Sequence, residues 1–469
     1  MAITRRQFLQ RTGAAAAGAL LGPGLFDNVF VRQALASTIG DRYFVVIFLD
    51  GGNDGLNTVV PVDNAGGTLR TAYDANRKGG NNGLRLTAGN LAGTLIGLDP
   101  NTGSQLAFHP GLIGLKELYD LGKVAVIQGC GYPDYNLSHE QSRGIWQSAN
   151  PLGVNALAAT GWMGRYLAAN YGSTEIPGVT ISDSVAPEYR QYATSVLAVN
   201  RLQEFGFPYD EFDGSDVAAK RQAFADLCAA ASAGAQASQI YLGDSGTATL
   251  VSSESYPPLH DLYHSQRAAF ETQYNALDTG TARRLREVAK VIYGVSQGVP
   301  NVSARFFQLA NGGYDTHSDQ GAAETDGQHY LLHREVGDAL KVFYDDCTDM
   351  GVGGKVTVLV WSEFSRRIEQ NGNGTDHGSQ GPMLAIGAVT GGIYGNHPNI
   401  DDLDDSGNTK YSQDNTDGFR STDFRDVYGT VLKHWLNMSA PTILSAVLPP
   451  DPGDPDLYWT IPNLDLGFV

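Results

Sequence analysis

Acidic, hydroxyl and imidazole side chains gather at four places along this chain, each just after a stretch that reads as a β-strand. D-G-G-N-D-G-L-N fills 50–57 and Y-P-D-Y-N-L-S-H fills 132–139. N-G-G-Y-D-T-H-S-D fills 311–319, and Ser362-Glu363 is followed by T-D-H-G at 375–378. Taken singly, each has a plain structural use. Asp50 suits a turn cap, and Asp54 suits an Asx-turn bracing Gly51-Gly52. Asp315 and His317 suit a mutual hydrogen bond, and Ser138 with Gln141 suits a capping box. Glycines around Asp376-His377 predict a loop that bends until both side chains aim at one point. Taken together, carboxylates and imidazoles are the donors that a divalent cation such as zinc or manganese accepts. Two such cations suit displacement at a phosphoryl or sulfuryl centre, one activating the nucleophile and the other screening the departing oxygen. Ser138 at a helix start adds free amides and a positive dipole end, a seat for an oxyanion.

Those groups meet only if the strands before them are parallel neighbours. Strands are expected at 43–49, 124–127, 177–182, 305–309, 356–361 and 383–386, with helices at 110–121, 138–148, 161–170, 261–297, 330–348 and 423–436. The last is expected to start from Ser421 as its N-cap. This alternation predicts an α/β domain with a largely parallel sheet, and 43–49 reads as a buried central strand. Ligands of such sheets sit beyond the carboxyl ends of the strands, where the four clusters fall. The stretch 184–260, with a helix at 215–232, is less regular and reads as an insertion or cap. Residues 399–418 read as an exposed acidic loop, and the tail after Pro449 as a surface segment.

The first 36 residues read as an export leader: T-R-R-Q-F-L at 4–9, an apolar run over 13–26 broken by Gly22-Pro23-Gly24, and A-L-A at 34–36. The paired arginines are of the twin-arginine type, so the translocase of that route is an expected partner and the periplasm or exterior the expected location. The run is too short to span a bilayer, and no later stretch is long and apolar enough. The formal charge is −18. So acidic a chain does not bind nucleic acid through a general field. Cys130, Cys228 and Cys347 form no C-x-x-C, which argues against a thiolate zinc site and leaves room for one disulfide.

The leader, F-L-D-G-G-N-D-G-L-N-T-V-V-P (48–61), N-L-S-H-E (136–140), G-G-Y-D-T-H (312–317), W-S-E-F-S-R-R (361–367) and G-T-D-H-G (374–378) together resemble a large family of exported bacterial proteins of unknown function. That family is similar to a distant branch of the alkaline phosphatase and sulfatase superfamily. The resemblance implies a three-layer α/β/α alkaline phosphatase-like sandwich over 37–469 with two metals at the strand ends. It implies Ser138 as nucleophile. It places Asp50, Asp376 and His377 around one metal, and Asp315, His317 and the late His397 around the other. The sulfatase signature C-x-P-x-R is missing, which argues against a formylglycine enzyme. Glu363 is open between ligand, general base and ion-pair partner of Arg366 or Arg367. Three functions follow: a metal-dependent hydrolase of phosphate or sulfate esters, a non-catalytic exported binding or assembly protein, or a metal-free hydrolase with His139 or His377 as base to Ser138.

Overall fold

The computed structural model describes residues 40–65, 67–80, 82–132, 135–150, 160–207, 216–321, 327–398, 400, 421–448 and 462–469. The leader, nearly all of 399–418 and the first part of the tail lie outside these residues. The central sheet runs, in spatial order, β13 (Gly392–Tyr394), β5 (Val124–Gly131), β12 (Gly381–Gly387), β9 (Val356–Trp361), β1 (Tyr43–Asp50), β8 (Phe306–Gly312), β6 (Gly178–Thr180) and β7 (Val196–Ala198). A short β14 (Thr422–Asp423) lies parallel beside β5. Among the described strands of this sheet, only β12 runs antiparallel to its neighbours, so β1, β5, β8 and β9 all end at one edge.

The central strands β5, β9 and β1 bury both faces. Along β1, Tyr43, Val45, Ile47 and Leu49 enter one core, while Phe44, Val46 and Phe48 enter the other. The first core is closed by helices Ile113–Asp120, Gly280–Ser296 and Gln328–Asp349. The second is closed by helices His139–Ser148, Trp162–Asn170 and Phe424–Thr430. This three-layer α/β/α sandwich explains why the strands read as unbroken apolar runs rather than alternating ones. No helix among the described residues is long and apolar enough to cross a membrane.

One local expectation is refined and two are corrected. The helical stretch 261–297 is three helices, Pro258–Gln266, Ala268–Leu277 and Gly280–Ser296, and the second ends at Asp278 with φ +50°. The late helix is capped by Asp423, which accepts from the Arg425 amide at 2.9 Å. The Ser421 hydroxyl instead donates to the Gln128 and Asn396 carbonyls, each at 3.2 Å. The T-D-H-G segment is not a loop but part of β11 (Gly374–His377), paired with β10 (Arg366–Asn371). Its glycines permit close approach: a Cβ on Gly374 would lie 2.3 Å from the His317 carbonyl oxygen, and one on Gly378 2.6 Å from the Arg366 backbone. Within 184–260, β7 extends the central sheet, and helices Val217–Ser232 and Ala237–Ser255 pack on each other.

Between β1 and β5, β2 (Val59–Pro61), β3 (Leu95–Leu98) and β4 (Gln105–Phe108) make a small antiparallel sheet. The segment joining β1 to β2 is fastened by Asp54. Its carboxylate meets Arg77 at 2.5 and 2.9 Å and Gln320 at 2.6 Å, and it caps the short helix Gly55–Thr58 by accepting from the Asn57 amide at 3.2 Å. Asp54 therefore anchors the segment to Arg77 rather than folding an Asx-turn over the glycines. Both side chains are fully buried. Replacing Asp54 by Asn leaves the guanidinium without its counter-charge and should cost about 3 kcal/mol. Urea unfolding of Asp54→Asn beside the unaltered protein measures this, and a loss under about 1 kcal/mol would show that the pair does not anchor the loop.

Candidate metal centre

Four elements deliver the side chains to one edge of the sheet. β8 runs into the turn that carries Asp315 and His317, and β9 ends two residues before Glu363. β11 ends on His377, and the helix His139–Ser148 starts the return from β5. The Asp315 Oδ1 atom lies 3.5 Å from His139 Nε2, 3.3 Å from His377 Nε2 and 3.2 Å from His317 Nε2. The Nε2 atoms of His317 and His377 are 2.9 Å apart. One donor atom each of His139, Asp315 and His377 lies within 4.8 Å of the other two. His317 completes a second triangle on the shared Asp315–His377 edge. Ligand atoms around a tetrahedral zinc with bonds of 2.0–2.1 Å stand about 3.3 Å apart, so these spacings fit one ion.

The far side of each ring is held as well. His377 Nδ1 donates to the Leu137 carbonyl at 2.7 Å, and His139 Nδ1 meets Glu363 Oε1 at 2.8 Å. His317 Nδ1 faces Asp376 Oδ1 at 3.4 Å. A proton kept on Nδ1 leaves the Nε2 lone pair to a ligand, the arrangement of metal-binding histidines with outer carboxylates and carbonyls. The His139 Nε2 atom is buried without a hydrogen-bond partner. The Nε2 lone pairs of His317 and His377 would repel across 2.9 Å unless a proton or a cation lay between them. The donor set therefore fits a divalent cation.

Glu363 is fully buried and ties three elements together. It accepts from the Gly51 amide at 3.0 Å and from His139, and the Ser362 hydroxyl, which donates to the Leu49 carbonyl, lies 3.1 Å from it. The Glu363 hydrogen bond raises the His139 imidazole above its ordinary value, whereas burial lowers that of His377. Partial burial works to raise Asp315, but the Arg366 guanidinium beside it and the adjacent imidazoles bring its carboxyl down to about 2. Burial, with Glu363 and Asp315 nearby, raises Asp50 against the pull of Arg143.

The sequence matches the family described as "Protein of unknown function (DUF1501)" over residues 98–412. The chain belongs to that family. No curated protein matches it. Among solved structures, the PsFucS1 sulfatase from Pseudoalteromonas sp. is similar at 9% identity over 86% of this chain and 71% of that one, with a TM-score of 0.33. The matched span of this DUF1501 protein begins after β1, so Asp50 and Gly51 lie outside it.

Of the residues singled out from sequence, the DUF1501 structure brings Asp315, His317 and His377 into the cluster and sets Asp376 and Glu363 behind it. Asp50 stands at the margin, 3.1 Å from Arg143 Nη1. Ser138 is exposed and precedes the helix start, but its hydroxyl makes no capping bond. The expected capping box is replaced by Asn136, whose Oδ1 accepts from the Ser138 amide at 2.7 Å and whose amide reaches Gln141 at 2.6 Å. His397 is turned elsewhere. Its ring nitrogens face the Pro398 and Val59 carbonyls at 3.0 and 3.3 Å, so it does not join the other donors. Instead of two sets of ligands, the described residues hold one cluster of three or more histidine and acidic groups. Arg366 pairs with Asp315 rather than with Glu363. Sequence reading weighed His139 only as a base for Ser138. The signal for its place in the cluster was its position in N-L-S-H-E, at the first residue of the helix, where the side chain turns back toward the strand ends.

Proposed function

We propose that this protein is an exported, metal-dependent hydrolase of phosphate or sulfate esters. It takes zinc or manganese between His139, Asp315 and His377, with His317 alongside, in an alkaline phosphatase-like frame. The carrying observation is that two imidazoles are anchored through Nδ1 by hydrogen bonds, a third faces the Asp376 carboxylate at 3.4 Å, and the Nε2 atoms of all three crowd one carboxylate oxygen. A bound cation supplies a positive charge that activates a nucleophile and polarises the ester oxygen. Ser138 offers the nucleophilic hydroxyl at the start of a ten-residue helix, whose first amides and dipole favour an anionic ester. Glu363 fixes the His139 ring and its tautomer. The leader implies export by the twin-arginine route to the periplasm or beyond.

One observation favours the second reading, a non-catalytic binding or assembly protein that keeps the centre as a clasp. Among the described residues, no base hydrogen-bonds the Ser138 hydroxyl. The same fact speaks against the metal-free serine hydrolase. Metal analysis of protein purified without chelator should find about one equivalent of zinc or manganese. Glu363→Gln should weaken its binding about 10–100-fold by loosening His139. On a panel of phosphate and sulfate esters, turnover should be abolished by Ser138→Ala. Metal without turnover on any ester selects the clasp, and absence of metal removes both metal readings.

A further inference from the structure

Three more histidines are packed ring to ring behind the centre. His109 follows β4, and His329 and His333 stand one turn apart at the start of the helix Gln328–Asp349. The ring centroids of His329 and His333 are 4.0 Å apart, and each lies 5.1 Å from that of His109. All three are buried. Their protonation is dictated by their partners. Thr58 gives its one hydroxyl proton to the Asp54 carbonyl at 2.7 Å, so it accepts from His333 Nε2 at 3.0 Å. The Asn53 amide donates to Thr58 at 2.9 Å, which turns its oxygen to accept from His329 Nε2 at 3.0 Å. His109 Nδ1 accepts from the Gly111 amide at 3.0 Å.

A second proton is poorly received on two of these rings. On His109 Nδ1 it would meet the Gly111 N–H. On His329 Nδ1, buried and unpartnered, it would find no acceptor. The charged groups facing the cluster are Arg77 and Arg366 toward His329, and Asp54 toward His109 and His333. Asp54 is already matched by Arg77. The rings of Tyr314 and Tyr330 add no charge. Asn53 and Thr58, which the histidines hold, belong to the segment whose Gly51 amide donates to Glu363, the carboxylate that fixes His139.

We propose that this buried triad is an acid trigger beneath the metal centre: proton uptake by its three imidazoles unseats residues 51–58 and takes the centre apart. The metal half of this rests on the reading above. Burial holds all three imidazoles below their ordinary value, His109 at about 3. The unfolded rings bind protons near pH 6.5 and the folded ones do not. Stability is therefore complete above that pH and is lost as pH falls. From pH 6 to pH 5, three such groups raise the unfolding equilibrium constant by at most about 500-fold.

The test is urea unfolding of the full chain at pH 6 and pH 5, as purified and after chelation, beside His329→Gln/His333→Gln. Glutamine keeps a donor for Asn53 and Thr58 but does not titrate. The rise between the two pH values should be smaller in the double variant, by at most about 60-fold. His397, also held down by burial, is common to both proteins and cancels. An equal rise in both overturns the trigger. Should the variant not fold, imidazole C2-proton resonances of the unaltered protein decide: no titration of the three above pH 5 supports it, and a midpoint near 6.5 for any of them overturns it. In metal-loaded protein, the ion should leave together with the unfolding step. The chelated samples test the triad even if the protein proves to bind no metal, so the two readings fail separately.

Discussion

His377→Ala protein should leave purification without its divalent ion, and chelator should no longer lower its melting temperature. The substitution removes the side chain whose Nε2 sits 3.3 Å from Asp315 and 2.9 Å from His317. It thereby breaks the edge that both triangles of donors share. Loss of an outer-sphere partner weakens binding about 10–100-fold, and loss of a ligand on that edge should exceed this. In the unaltered protein an ion at a thousandfold excess over its Kd stabilises the fold by about 4 kcal/mol, so chelation should lower its Tm by several degrees. Melting curves with and without chelator, run with metal analysis, check this. If chelator shifts the variant and the unaltered protein equally, the ion binds elsewhere or stabilises nothing.

Arg366→Met should be the most destabilising single change near the site, at about 4–5 kcal/mol. The guanidinium is fully buried. It donates to the carbonyls of Gly51, Gly52, Tyr314 and Thr375 and to the Asp315 carboxylate, at 2.7 Å from Gly52, 2.9 Å from Tyr314, 3.0 Å from Thr375 and 2.7 Å from Asp315. Methionine fills part of the space but leaves four carbonyls without donors. Lysine should not rescue, because one ammonium cannot span acceptors arranged for a planar fork. The urea midpoint of Arg366→Met, with Arg366→Lys alongside, measures the effect. A cost below about 1 kcal/mol, or full rescue by lysine, would show that these carbonyls are satisfied another way.

Much of the frame was legible beforehand because its signals are local. Unbroken apolar runs such as 43–49 mark strands buried on both faces, and their alternation with amphipathic helices marks a parallel sheet. The polar clusters at the ends of β1, β8 and β9 were legible for the same reason. The helical character of 261–297 was legible, but not its break at Asp278, since periodicity continues across such a position. The glycines of G-T-D-H-G were seen but misread. Glycine marks both free bending and close approach, and only the neighbouring chain distinguishes them.

By itself the sequence determined that this is an acidic α/β protein with carboxylates and imidazoles gathered past its strand ends. Composition, period and spacing are properties of neighbours along the chain, and those are present in the string of residues. Which imidazoles share one oxygen was decided only in three dimensions. His139, Asp315 and His377 are far apart in sequence, and their ring directions are set by Glu363, Leu137 and the β10–β11 pairing. His397 shows the converse: a residue of the right type is turned toward two carbonyls by packing that no local pattern records.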